Sequence, residues 1–167
     1  TLATPIDVTI NALPVAGTIT GASEVCVGLT TTLNSNPTGG AGTYSSTAWS
    51  SSVTGNGTIG SSTGVVTGVT GGATNITYTV TDTKGCVSPV SSVYSFTVNA
   101  LPVAGTITGA SEVCVGLTTT LNSNPTGGAG TYSSTSWTSS ATSNGTIGSS
   151  TGVVTGVTGG ATNITYT

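Results

Sequence analysis

The chain is 167 residues long, and only five of them carry formal charge: Asp7, Glu24, Asp82, Lys84 and Glu112. Thr (39), Ser (23) and Gly (26) make up more than half of it, with no Arg, His or Met and a net charge of −3. One cation cannot neutralise a run of phosphates, which excludes a nucleic-acid partner and an anionic membrane surface, and the lack of the usual general bases argues for a non-enzymatic chain without cofactors.

Apolar residues at 35% and a positive mean hydropathy separate the chain from disordered sequences. Thr, Val, Ile and Tyr favour strands, and Gly, Asn and Ser favour turns, so the composition predicts an all-β fold. Ile6, Val8 and Ile10 alternate with Asp7 and Thr9, which predicts a strand within 1–10. A second follows over 15–20, and Leu29, Thr31 and Leu33 mark a third, closed by a turn over 36–40. Thr47, Trp49 and Ser51 form a short strand before the Gly55-Asn56-Gly57 turn. Strands over 58–59 and 65–69 flank the Ser62-Thr63-Gly64 turn. After Gly71-Gly72, the apolar Ile76, Tyr78 and Val80 alternate with Thr77 and Thr79. Asp82-Thr83-Lys84-Gly85 reads as a turn before the alternating Tyr94, Phe96 and Val98.

The chain repeats itself. Residues 11–79 align without gaps on 99–167 at an offset of 88, and four positions differ: Ala48/Ser136, Ser50/Thr138, Val53/Ala141 and Gly55/Ser143. Ile6, Val8 and Ile10 fall at the places of Tyr94, Phe96 and Val98. The expected organisation is therefore 1–10 as the last strand of a preceding repeat, 11–98 as a complete repeat, and 99–167 as a second repeat without its final strand. About seven short strands around one Trp per repeat fit tandem immunoglobulin-like β-sandwiches of 88 residues. Either the chain is a stretch of a longer tandem array, or the terminal strand of one chain completes the open domain of the next.

Trp49-Ser-Ser-Ser, the run 57–69 (GTIGSSTGVVTGV) and the run 71–80 (GGATNITYTV) resemble bacterial immunoglobulin-like repeats of the BIG2 and PKD-like types in large Bacteroidetes surface proteins. The segment 21–28 (GASEVCVG) and Lys84-Gly85-Cys86 are similar to a cysteine-bearing variant of those repeats. The resemblance implies a secreted, tandemly repeated stalk, adhesin or filament component. It brings no catalytic residues.

Cys26 and Cys86 fall in one repeat, and Cys114 is the copy of Cys26. The simplest reading is one disulfide per repeat, Cys26 to Cys86, with Cys114 pairing outside the chain. A loop of about 60 residues would contribute on the order of 4 kcal/mol and would imply an oxidising, extracellular setting. A reactive or metal-bound thiol is the competing reading, and no His or neighbouring Cys supports it. No apolar run approaches a membrane span.

Other motifs have plainer readings. Residues 55–60 match G-x-G-x-x-G, but no helix follows to receive a dinucleotide, so they read as a turn. Glu24 and Asp82 would share a cation only if the fold brought them together. Lys84 is an isopeptide candidate whose context reads better as a hairpin. Asn56, Asn75, Asn144 and Asn163 begin glycosylation sequons, and exposed Thr and Ser offer O-linked acceptors for glycans. Trp49 and Trp137 are expected in the core, against Ile76/Tyr78 and Ile164/Tyr166. Function is expected to be structural: an extracellular filament, stalk or adhesin whose partners are copies of itself, without nucleic acid or membrane span. The alternative is a cell-surface carbohydrate- or ligand-binding module using loops that carry Tyr44 and Tyr132 or the four positions that differ between the copies.

Overall fold

The computed structural model describes residues 3–167, which form two compact units, one ending at Ala100 and the other running Leu101–Thr167. Among the described residues all regular structure is β-strand. In unit 1 the strands are β1 (Pro14–Val15), β2 (Ile19–Thr20), β3 (Glu24–Cys26), β4 (Thr30–Thr32), β5 (Asn34–Ser35), β6 (Thr38–Gly39), β7 (Tyr44–Ser51), β8 (Gly57–Ile59), β9 (Val65–Gly68), β10 (Gly72–Asp82) and β11 (Tyr94–Asn99). Two sheets form a sandwich: β3-β11-β10-β7 and β4-β9-β8. The pairs β1-β6 and β2-β5 sit beside them. A four-plus-three division of strands is that of an immunoglobulin-like sandwich.

Alternation in β10 explains its central place. Ile76, Tyr78 and Val80 are buried and alternate with the partly buried Thr77 and Thr79. Phe96 and Val98 of β11 and Val66 of β9 join them, and Trp49, Leu33 and Ile19 close the core. Trp49 lies opposite Tyr78 in the β7–β10 register, with ring centroids 4.8 Å apart and planes tilted by 32°. This tilted cross-strand pair adds to the area that each ring buries. Gly64 has φ +69 and no room for a side chain, because a Cβ would clash with the Leu33 carbonyl oxygen at 2.5 Å and press on the Trp49 ring at 3.3 Å.

β11 covers only the first half of β10, from Gly72↔Val98 to Ile76↔Tyr94. The second half is covered by residues 88–91, where Pro89 has no N–H to give to a ladder. Two serine hydroxyls complete the pairing. Ser91 Oγ accepts the Tyr78 N–H and Ser88 Oγ accepts the Val80 N–H, each at 3.0 Å, and both serines are buried.

Unit 2 holds β12 (Pro102–Val103), β13 (Ile107–Thr108), β14 (Thr118–Thr120), β15 (Asn122–Ser123), β16 (Thr126–Gly127), β17 (Trp137–Ser139), β18 (Gly145–Ile147), β19 (Val153–Gly156) and β20 (Ile164–Tyr166). Its β14-β19-β18 sheet repeats β4-β9-β8, and β17-β20 repeats part of β7-β10. Trp137 and Tyr166 pair with centroids 5.0 Å apart. No segment of Leu101–Thr167 takes the place of β11, and 112–114 form no strand.

Three expectations are corrected. Residues 3–10, expected to hold a strand, form none and are exposed, while Thr1 and Leu2 lie outside the described residues. The strand expected over 15–20 is two short pieces, because 16–18 leave the ladder between β1 and β2. Glu24–Cys26, where the sequence reading places no strand, is a strand in parallel register with Thr97–Asn99. With the Trp49 ring filling the core, Trp49→Ala should destabilise unit 1 by about 3–5 kcal/mol. Chemical denaturation followed by circular dichroism measures this, and a loss below about 1 kcal/mol would show that the ring carries no core.

Candidate functional site

No group of His, Cys, Asp and Glu gathers into a catalytic or metal-binding cluster among the described residues, and the most developed polar arrangements lie at the two ends of unit 1. In unit 1 the chain enters at the end of β10 that carries Asp82, since Pro14 packs against Gly40, which in turn abuts Asp82. It leaves at the opposite end, where β11 finishes beside β3 at Asn99↔Cys26. Eleven residues of β10 separate these ends, a span of roughly 35 Å at strand rise.

Asp82 organises the entry end. It is buried at 1% exposure, and its carboxylate accepts three main-chain N–H groups: Ala41 at 3.1 Å, Lys84 at 2.9 Å and Cys86 at 2.9 Å. One side chain thus ties the 83–86 turn to the loop that precedes β7. Burial pushes its carboxyl upward, but the three N–H donors and the nearby Lys84 charge outweigh that and hold it below the ordinary carboxylate value. Tyr78 supplies a second tie. Its hydroxyl accepts the Asn36 N–H at 3.2 Å and donates to the Gly17 carbonyl at 3.3 Å. Burial raises the Tyr78 phenol above its usual value despite these bonds.

The turn motif of residues 55–60 is also structural. Asn56 Nδ2 donates to the Ala73 carbonyl at 2.8 Å, and the Asn56 carbonyl accepts the Val69 and Thr70 N–H groups. Asn144 repeats this on Ala161, Val157 and Thr158. Gly72, at φ +151, is packed so closely on the Asn56 carboxamide that a side chain there would displace it. The Asn56 and Asn144 carboxamides are therefore engaged in holding turns. Asn75 and Asn163 are exposed.

The expected Cys26–Cys86 disulfide does not form, and Cys26, Cys86 and Cys114 are all free thiols. The reason is the topology. Cys26 pairs with Asn99 beside the Gly72 end of β10, whereas Cys86 is bonded to Asp82 at the other end. A disulfide needs Cα atoms within about 7 Å, and the strand holds these roughly 30 Å apart. The same separation rules out the cation site shared by Glu24 and Asp82. No group of three or more His, Cys, Asp or Glu residues gathers among the described residues. Tyr44 and Tyr132 are 40% and 44% exposed, and each hydroxyl donates to the main chain of its own hairpin, at Gly39 and Gly127.

No family model matches the chain, and no curated protein matches it. The BIG2 likeness thus stands on the quoted motifs alone. Among solved structures, the chain is similar to domains 4 and 5 of the S-layer protein SbsC, with 23% identity and a TM-score of 0.38 over 83% of this chain and 76% of that one. Domains 4–9 of the same surface layer protein match at 22% identity and a TM-score of 0.38, and rSbsC(31-844) at 23% and 0.39. Each of these two matches covers 83% of this chain, which spans 23% and 21% of their lengths.

Asp82 yields an acid-sensitivity prediction. Its folded-state carboxyl lies below the unfolded value, so its stabilisation is complete above the ordinary carboxylate range and is lost as pH falls below about 4. Asp82→Ala should lower the thermal midpoint at pH 7 and flatten its decline on acidification, read by calorimetry from pH 7 to pH 3. An unchanged midpoint at pH 7 would remove Asp82 as an organiser. The thiols yield another. A digest of the chain without reductant should contain no Cys26–Cys86 crosslinked peptide by mass spectrometry, and finding one would overturn the strand order given above.

Proposed function

We propose that the chain is a non-catalytic structural segment of an extracellular, cell-surface protein, in which 88-residue immunoglobulin-like units follow one another as a linear filament, stalk or adhesin. The observation that carries this reading is the opposite placement of entry and exit in unit 1, Pro14 beside Asp82 and Asn99 beside Gly72. A repeat whose chain enters at one pole and leaves at the other extends an array by its own length with each copy. The pattern of drift supports it. Ala48, Ser50, Val53 and Gly55, the four positions that differ between copies, are all exposed in unit 1. What is kept is the framework, including the Asn56 and Asn144 turns and the Trp–Tyr pairs. Duplication of a framework suits a spacer better than a recognition site.

The alternative, a carbohydrate- or ligand-binding module, draws on the exposed Tyr44 and Tyr132 rings. Their hydroxyls are engaged by their own hairpins, which removes the polar handle a sugar would use. In either case the partner of first rank is another copy of the unit, and glycans on surface Thr and Ser are a property of the exposed face.

Several consecutive 88-residue units joined in one chain should appear by electron microscopy as a thin fibre with an axial repeat of roughly 35–45 Å per unit. Compact particles without axial periodicity would overturn the reading.

A further inference from the structure

Residues 53–57 and 141–145 form the same turn in the two units, and each turn ends in an Asn-Gly pair, Asn56-Gly57 and Asn144-Gly145. Such a pair carries its own reaction. The main-chain nitrogen of the glycine attacks Cγ of the asparagine, and glycine, lacking a Cβ, leaves that approach open. The N–Cγ bond forms, the Cγ–Nδ2 bond breaks, and ammonia leaves with the proton that the glycine nitrogen gives up. Water then opens the succinimide at either carbonyl, giving aspartate or isoaspartate. Nothing is oxidised or reduced.

The fold ties down the atoms of this reaction. The attacking nitrogen is occupied: the Gly57 N–H donates to the Val53 carbonyl at 3.1 Å, and that of Gly145 to the Ala141 carbonyl at 3.1 Å. The leaving group is held as well, with Asn56 Nδ2 on the Ala73 carbonyl and Asn144 Nδ2 on that of Ala161, both at 2.8 Å. The Thr70 hydroxyl donates to the Gly55 carbonyl at 2.7 Å and lies 3.2 Å from Asn56 Oδ1. Thr158 does the same at Ser143 and Asn144. Packing asks for the glycine: a Cβ on Gly57 would stand 3.2 Å from the Val98 side chain, and one on Gly145 3.3 Å from that of Thr162. The position before the pair differs between the copies, Gly55 against Ser143, while the pair itself is kept.

We propose that Asn56 and Asn144 are deamidation sites that folding closes, converted only when their turn opens, so that conversion marks an opened unit irreversibly. A carboxylate has no proton to donate to the Ala73 or Ala161 carbonyl, and two oxygens then face each other where a hydrogen bond stood. Isoaspartate also adds a methylene to the main chain beside the buried Gly57 or Gly145. A modified turn therefore recloses poorly. Each event adds one negative charge to a chain whose net charge is −3. The inference concerns the single chain and does not rest on the filament reading.

The test holds the full chain in mildly alkaline buffer, once native and once in guanidinium, and follows the amide-to-acid mass gain at each asparagine by peptide mass spectrometry. When only the open turn reacts, the native rate is the free-chain rate multiplied by the open fraction. Both sites should convert in denaturant, and each should be slower in the native chain by about tenfold or more. Thr70→Val keeps the side-chain shape and removes one hydroxyl from an exposed position. It should speed native conversion at Asn56 about fivefold, the effect of one lost hydrogen bond on the open fraction. Asn144 in the same molecule is the reference and should keep its rate. Native slowing of less than about tenfold, no conversion at either site in denaturant, or a Thr70→Val chain with an unchanged ratio of Asn56 to Asn144 conversion would each overturn the proposal.

Discussion

A sheet's central strand must find partners for its main chain on both edges, and in unit 1 that demand falls on β10. β7 meets it along one edge, from Ile76↔Ser51 to Asp82↔Tyr44. The other edge is divided between a regular strand, β11, and two serine hydroxyls from a segment that proline keeps out of the ladder. The core side chains are in place because this backbone is satisfied: Ile76, Tyr78 and Val80 are each at 0–1% exposure. Where the demand is unmet, the consequences are visible. Gly160–Asn163 form no strand where their copies Gly72–Asn75 belong to β10, and the buried Tyr166 hydroxyl has no partner where that of Tyr78 has two.

Polar side chains do much of the joining in a chain with almost no charge. Thr74 is buried, and its hydroxyl is bonded to Ser51 at 2.7 Å and to the Val53 N–H at 3.0 Å. Thr162 repeats both bonds with Ser139 and Ala141. Each such bond contributes on the order of 1 kcal/mol, and several together fix the turns that set strand register. The exchange Val53/Ala141 keeps this bond because only the main-chain N–H is used.

Much of the sandwich was legible in the sequence, for a physical reason. Period-two burial leaves its mark in Ile76/Tyr78/Val80, in Phe96/Val98 and in the position of Trp49, so the strands that face the core declare themselves. β3 does not, because Glu24–Cys26 is an edge strand with an exposed glutamate, held by a parallel partner over 70 residues away. Asp82 reads as a surface turn residue, since its value lies in three N–H groups that only the folded loop brings together. The pairing of Cys26 with Cys86 looked natural along the chain, and the length of β10 forbids it. Ser88 and Ser91 gave one signal that went unused: two serines flanking a proline, directly after a strand too long for its partner.

The parallel pairing of β3 with β11 bears on how a unit carries load. Pulling the chain along its axis draws β3 back toward the entry pole and β11 out through the exit pole. In parallel strands these forces act along the ladder, so the pairs Thr97↔Glu24, Val98↔Val25 and Asn99↔Cys26 are sheared together rather than opened in turn. A tether built this way resists tension with several hydrogen bonds in parallel, and it yields abruptly when they fail.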